Sequence, residues 1–196
     1  MPPVAESYLL LVQAARKQDM GAWNRLLKQH EMPLFVYIAE LVQDRSAALD
    51  LAQETFADAV RHIHTLRSDE KFAPWLFSIG HQQCIRHWRR KKRENAIIDR
   101  EAAADAAGGV DGPGPEAIES EDPRTTLIKK EGESEFLAQV GRLPELQREV
   151  FLLRTLEDFS LQEIAAIVDA PVGTVKSRLH HATVSLRSML RCSRFG

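Results

Sequence analysis

The chain has 196 residues, 44% of them hydrophobic, with a formal net charge of −2; that is enough for one large domain or two small ones and suits a folded chain. Its two cysteines, Cys84 and Cys192, are far apart and in no metal-ligand spacing, which excludes a disulfide framework and a zinc module and reads as free thiols in a reducing compartment. No stretch approaches the roughly 18 apolar residues of a membrane span and the N-terminus lacks a basic n-region, so no membrane insertion is expected and the expected location is cytoplasmic.

The near-neutral total hides a pattern. Residues 1–93 carry 14 Lys+Arg against 10 Asp+Glu, residues 94–131 carry 4 against 10, and residues 132–196 carry 8 of each. Within the first block, residues 71–93 hold seven bases and no acid; within the last, residues 170–196 hold five and no acid. Two short basic segments separated by an acidic spacer fit two local nucleic-acid contacts better than a uniform coat.

In chain order, the N-terminal part reads as helices throughout. A short amphipathic helix covers about 5–17. Asp19 caps a second, with Ala22, Leu26, Leu27, Leu34, Ile38 and Leu41 along one side, and Pro33 is expected to kink or interrupt it. Ser46 is placed as the cap of a third helix reaching about Leu66. A polar connection, Arg67 to Lys71, leads to a fourth, with Pro74 in its first turn, running to about Arg93. It ends in Arg86-His87-Trp88-Arg89-Arg90-Lys91-Lys92-Arg93, an electropositive run suited to phosphates. Trp75, Phe72 and Phe77 lie upstream, where aromatics can stack on unpaired bases.

Residues 101–123 contain one Val and one Ile, broken by Gly108-Gly109 and Gly112-Pro113-Gly114-Pro115. Such a segment cannot offset its ordering entropy by burial, and it reads as a flexible acidic linker. Beyond it, Leu143-Pro144-Glu145 opens a helix. Ser160-Leu161-Gln162-Glu163 is a capping box for a short one, Asp169-Ala170-Pro171 turns the chain, and a last helix runs from about Val172 to Leu190. Short helix, tight turn and longer basic helix make a helix-turn-helix. On the last helix Val175, Leu179, Ala182 and Leu186 form an apolar stripe. Thr174, Ser177, Arg178, His181 and Ser185 form a second face fit for a major groove, with Lys176 and Arg187 beside it for phosphates. The fold class is therefore all-α: two small helical domains, 1–95 and 131–196, joined by a flexible acidic linker at 96–130, the C-terminal domain a helix-turn-helix.

The histidines carry no catalytic or metal reading. His62 and His64 face different ways on a helix, His180 and His181 are adjacent, and no metal-ligand motif or phosphate loop is present. No catalytic residue, metal or cofactor is expected, and the chain does not read as an enzyme.

Several segments, taken together and in order, resemble the bacterial RNA polymerase sigma factors, specifically the extracytoplasmic-function branch. Asp50-Leu51-Ala52-Gln53-Glu54-Thr55-Phe56 is similar to that family's Asp-Leu-Val-Gln-Glu-Thr-Phe, and Phe72-Ala73-Pro74-Trp75-Leu76-Phe77-Ser78-Ile79 to its Phe-x-x-Trp-Leu-x-x-Ile. Leu143-Pro144 with Arg148-Glu149-Val150-Phe151-Leu152-Leu153-Arg154, then Glu163-Ile164-Ala165 and Gly173-Thr174-Val175-Lys176-Ser177-Arg178-Leu179, resemble its second half.

The resemblance implies a factor that binds core RNA polymerase, recognises promoter DNA and promotes its opening. Asp50, Gln53 and Glu54 would bind the polymerase clamp. Residues 67–72 and the helix after them would hold the −10 element with one base flipped out, through Ser68, Lys71, Phe72, Trp75, Gln82, Arg86, Arg89 and Arg90. Thr174, Lys176, Ser177, Arg178 and His181 would meet the −35 element. The sequence departs from the family at Ala47, Ala48 and Leu49, where acids are usual, at His81 and Gln82, where Arg and Asn are common, and at Arg86, which stands in place of an acid. Free members are commonly held closed by an anti-sigma factor, and such a partner is expected here, since the spacer alone cannot hold the domains together. Two rival readings are a decoy or adaptor that binds polymerase or an anti-sigma factor without DNA, and an autonomous helix-turn-helix regulator. The cations at 86–93 and 174–178 argue against the first, the Asp50–Phe56 segment against the second.

Overall fold

A computed structural model describes residues 3–105 and 136–193, and the side chains of 7–94 and 136–191. Every regular element among the described residues is helical: α1 Pro3–Arg16, α2 Met20–Val42, α3 Arg45–His62, α4 Phe72–Asp105, α5 at 136–141, α6 Glu145–Glu157, α7 Leu161–Ile167 and α8 Val172–Ser193, with single 3-10 turns at Ile63–Thr65 and Asp69–Lys71. No helix among them is long and apolar enough to cross a membrane. Most of the expected linker, and the side chain of Cys192, lie outside the described residues.

Local chemistry explains most boundaries. Asp19 Oδ1 accepts from the Ala22 N–H at 2.9 Å and starts α2 as expected. Pro33 does not interrupt α2, which continues to Val42. An internal proline costs roughly 3 kcal/mol, but α2 buries Trp23, Leu26, Leu34, Tyr37, Ile38 and Leu41 along one face, and that packing outweighs the lost backbone bond. The third helix is capped by Asp44, whose Oδ1 accepts from Ala47 N at 3.0 Å, not by Ser46. It ends at His62, because the chain tightens into the 3-10 turn before Leu66. The fourth helix runs past Arg93 to Asp105. Residues 94–105 contain no glycine or proline and four alanines, so helix propensity carries the backbone into the acidic segment. In the C-terminal half the capping box is complete: Ser160 Oγ accepts from Glu163 N at 3.3 Å, and Glu163 Oε2 from Ser160 N at 2.9 Å.

Helices α1–α4 form one bundle and α5–α8 a second. Gly80 lets α4 lie close to α2 and α3; a Cβ there would meet Leu34 Cδ1 at 3.0 Å and Thr55 Cγ2 at 3.6 Å. The bundles are docked directly on one another, α2 against α6 and α4 against α7. At the junction Phe77 packs between Tyr37 (ring centroids 5.6 Å) and Phe159 (5.3 Å, edge-to-face at 82°). Polar pairs flank this aromatic centre: His30 Nδ1 to Glu157 Oε1 at 3.2 Å, and Lys71 Nζ to Glu163 Oε1 at 2.8 Å. The exposed Lys71 pair is worth at most about 1 kcal/mol, so it adds little beside the buried aromatic contact at the centre of the junction. The two bundles thus pack directly on each other through α2, α4, α6 and α7.

Candidate nucleic-acid interface

Helix α3 turns Leu51, Ala52, Thr55 and Ala59 into the core, leaving Asp50, Gln53 and Glu54 together on its exposed side. Leu49 is exposed beside them. Across from these acids stand Gln83, Arg86, His87 and Arg90 of α4, and the two helices enclose a groove of about 580 Å³. This surface is of mixed sign, acidic on α3 and cationic on α4. Asp58, one turn beyond Glu54, accepts from Gln83 Nε2 at 2.8 Å and lies 3.8 Å from the Arg86 guanidinium. Arg86 is thus shared between the acidic helix and the α4 stripe below.

That stripe consists of Trp75, Gln82, Arg86 and Arg89, at i, i+7, i+11 and i+14. The first three, with Ser78, line a groove of about 350 Å³ closed on its far side by His62 and Thr65. Gln82, Arg89 and Arg90 are exposed and Trp75 is half-buried. Phe72 behaves differently: it is 0% exposed, ringed by Tyr8, Trp23, His30 and Trp75 at centroid distances of 5.8–6.4 Å. It has no surface to offer a base and instead forms the floor beneath the connection at residues 67–71. Ser68, in that connection, donates to Glu70. Lys71 and Trp75 line a further groove of about 380 Å³ against Glu163, Ala166 and Ile167 of α7, so the second bundle covers part of the stripe's upper end. Burial alone would raise the Glu163 carboxyl, but hydrogen bonds from Lys71 and Ser160 outweigh it and hold the group below its usual range.

In the helix-turn-helix, α7 and the N-terminal half of α8 are joined through Asp169, whose φ of 49° makes the left-handed turn. Val175, Ala182 and Leu186 are buried. Lys176, Ser177 and His181 are exposed on the outer side and Thr174 is half-buried. Arg178, placed by its spacing on the same outer face, is turned inward: its NH1 donates to Glu149 Oε1 of α6 at 3.1 Å, and only 23% of its side chain is exposed. It ties the recognition helix to α6, and removing Arg178 leaves the buried Glu149 carboxyl without that partner.

The Glu149 carboxyl is pushed up to about 7, chiefly by burial; Arg178 opposes the shift and nearby Glu145 adds to it. With a folded value above the ordinary 4.5, Glu149 keeps its proton in the fold after the unfolded chain has lost it. Stability from this group is full below about pH 4.5, falls as pH rises to about 7, and is level above that. Glu149→Gln should remove that slope, which amounts to up to about 3 kcal/mol across the interval. Urea unfolding of both proteins at pH 5, 6, 7 and 8 checks it. Burial lowers the His81 imidazole, which accompanies Tyr37 Oη at 2.9 Å; its destabilisation on acidification is common to both proteins and cancels in the difference. A flat difference between the two proteins would show that Glu149 is ionised in the fold.

Residues to which sequence reasoning assigns no task also matter at this interface, Arg16, Glu149 and His30, as does the capping residue Glu163 through its added tie to Lys71. Glu149 lay within a quoted motif, but only the position of Arg178, 29 residues away, gives it a task. Cys84 is a buried free thiol pushed up to about 12 by burial, and takes no part. No group of three or more potential metal ligands occurs among the described residues.

Comparison with known proteins matches residues 26–94 to the model for sigma-70 region 2 and residues 133–186 to that for sigma-70 region 4. Similar curated proteins include the RNA polymerase sigma-H factor of Pseudomonas aeruginosa, 29% identical and covering 92% of each chain. The extracytoplasmic-function sigma factor SigW of Bacillus subtilis is 27% identical, covering 92% of this chain and 95% of its own. The sigma-E factor of Escherichia coli K12 is 29% identical over 88% of each. Among solved structures, CnrH in complex with the cytosolic domain of CnrY has the same fold (TM-score 0.64, 19% identity, 94% of this chain and 97% of that one). So has the sigma factor RpoE of Bartonella quintana with the anti-sigma factor NepR (0.62, 23%, 86% and 96%). With region 2 on the α2–α4 bundle, region 4 on the helix-turn-helix bundle, and similarity running nearly end to end, the chain belongs to the extracytoplasmic-function sigma factors, which direct RNA polymerase in promoter recognition and transcription initiation.

Proposed function

We propose that residues 1–95 dock on core polymerase and open the −10 element, that residues 131–196 hold the −35 element, and that 96–130 connect them. Asp50, Gln53 and Glu54 make the polymerase contact. Ser68, Lys71, Trp75, Gln82, Arg86, Arg89 and Arg90 hold the −10 strand, with Phe72 supporting them from the core. Thr174, Lys176, Ser177 and His181 meet the −35 element on a helix fixed by Arg178. The observation that carries this reading is the segregation of surfaces: an exposed acidic helix face, a cationic aromatic stripe on the neighbouring helix, and a separate recognition helix.

The chemistry is binding, not bond-making. Strand separation costs about 1.4 kcal/mol per base-pair step, and capture of a flipped base, with unpaired strand on Trp75 and the arginines, offsets it. The protein works where polymerase works, in the cytoplasm. The complex of one structural neighbour, the Bartonella quintana sigma factor RpoE, with the anti-sigma factor NepR supports an anti-sigma factor as a further partner.

The test is run-off transcription from fragmented genomic DNA with sigma-free core polymerase. Discrete transcripts should require the protein, and Glu54→Lys should abolish them together with core association, because a cation replaces the docking acid. Core binding without transcripts would favour a decoy. DNA binding without core association would favour an autonomous regulator.

A further inference from the structure

Between α3 and α4 the chain has little of its own to hold it. The segment after Leu66 is extended at Ser68, and its backbone is tied by three short-range bonds, Leu66 N to Ile63 O at 3.1 Å, Lys71 N to Ser68 O at 3.0 Å and Phe72 N to Asp69 O. Arg67 and Glu70 are exposed, while Leu66 is anchored in the core. Ser68 donates to Glu70 and Lys71 pairs with Glu163, both exposed contacts; the restraint that spans the connection comes from α1. Arg16, in the last turn of α1, donates through Nε to Asp69 Oδ1 at 2.7 Å and through NH2 to the Leu66 carbonyl. One planar guanidinium therefore bridges both ends of the connection, gripping the backbone where it leaves α3 and the side chain where it enters the turn before α4. The Arg16 and Asp69 side chains are 30% and 23% exposed, partly shielded from solvent. The far side of the connection leads into Lys71 and the Trp75 stripe.

We propose that Arg16 is a positioning residue for promoter opening: it holds the 66–71 connection in a single shape, so that a base leaving the duplex meets a preformed site. The inference rests on the sigma-factor reading and deepens it, since that reading assigns no task to α1. Capture of a flipped base competes with restacking. A loop that must first be ordered gives up part of the capture energy to its own ordering, whereas a braced loop does not. The defect from losing Arg16 should therefore appear in the melting step, not in association with polymerase.

The experiment uses the full chain with sigma-free core polymerase on one promoter, as intact duplex and as a template with the −10 region already unpaired. Arg16→Ala should lower open-complex formation on the duplex about tenfold, the scale of a lost charge-assisted contact. The loss should shrink to about twofold on the unpaired template, with core affinity unchanged. Arg16→Lys keeps the charge but not the fork, and should resemble Arg16→Ala. Asp69→Asn should give the same template dependence more weakly, and Arg16→Ala should add little to Asp69→Ala, because both act through one contact. A defect equal on both templates, a defect that follows loss of core binding or of the thermal transition, or full activity of Arg16→Ala on duplex would each overturn the proposal. Absence of transcripts with the unaltered protein would instead overturn the sigma-factor reading itself.

Discussion

Phe72→Ala is expected to destabilise the N-terminal bundle by about 3–5 kcal/mol, the usual cost of removing a fully buried phenylalanine. The ring is inaccessible and touches α1 through Tyr8, α2 through Trp23 and His30, and its own helix through Trp75. Its loss opens a cavity where three helices meet, and that cavity cannot collapse without moving the connection above it. Phe72→Leu, which refills most of the volume, should recover most of the stability. Trp75→Ala makes the informative contrast. Trp75 is half-buried, so its removal should cost less stability yet impair strand opening more selectively. Urea unfolding alongside permanganate reactivity of unpaired thymines separates the two. If Phe72→Ala folded normally and failed only on DNA, Phe72 would be a base contact and its placement in the core would be wrong.

Locking the two bundles together should abolish transcription. A compact chain of this length has a radius of gyration of roughly 16 Å, hence a diameter of about 40 Å. Promoter elements centred about 25 base pairs apart lie roughly 85 Å apart at 3.4 Å per pair. If each bundle holds one element as proposed, the docked bundles cannot reach both, and α7 also lies over Lys71 and Trp75. The bundles must therefore part before both elements are bound. Cysteines at Ser78 and Gln162, the former on α4 and the latter on α7, flank the junction groove. With Cys192 replaced by serine and Cys84 buried, they can be joined by a thiol-reactive bridge containing a reducible disulfide. Run-off transcription should fall to background when bridged and return on reduction. Undiminished transcription by the bridged protein would mean that the docked arrangement is itself the active one.

The sequence by itself determined whatever depends on near neighbours. The helices other than α5, the Asp19 cap, the Ser160–Glu163 capping box, the turn at Asp169 and the apolar stripe of α8 are written in residues three to eleven positions apart, and periodicity and capping chemistry act over that range. The family motifs are local too, and they were sufficient for the class of function. Pro33 does not break its helix, because the packing of the buried face outweighs one lost backbone bond, and Ser46 is not the cap because Asp44 takes that place. Which side of a helix a residue serves depends on partners far along the chain. Phe72 and Arg178 have the spacing of DNA-facing residues, and only the rings around Phe72 and the carboxylate of Glu149, 29 positions from Arg178, turn them inward. The same holds for Arg16 and Asp69, 53 positions apart, and for the Phe77–Phe159 contact that closes the two bundles. No spacing rule reports such pairs. They arise when burial of apolar area brings distant helices together and every charge left inside must find a partner.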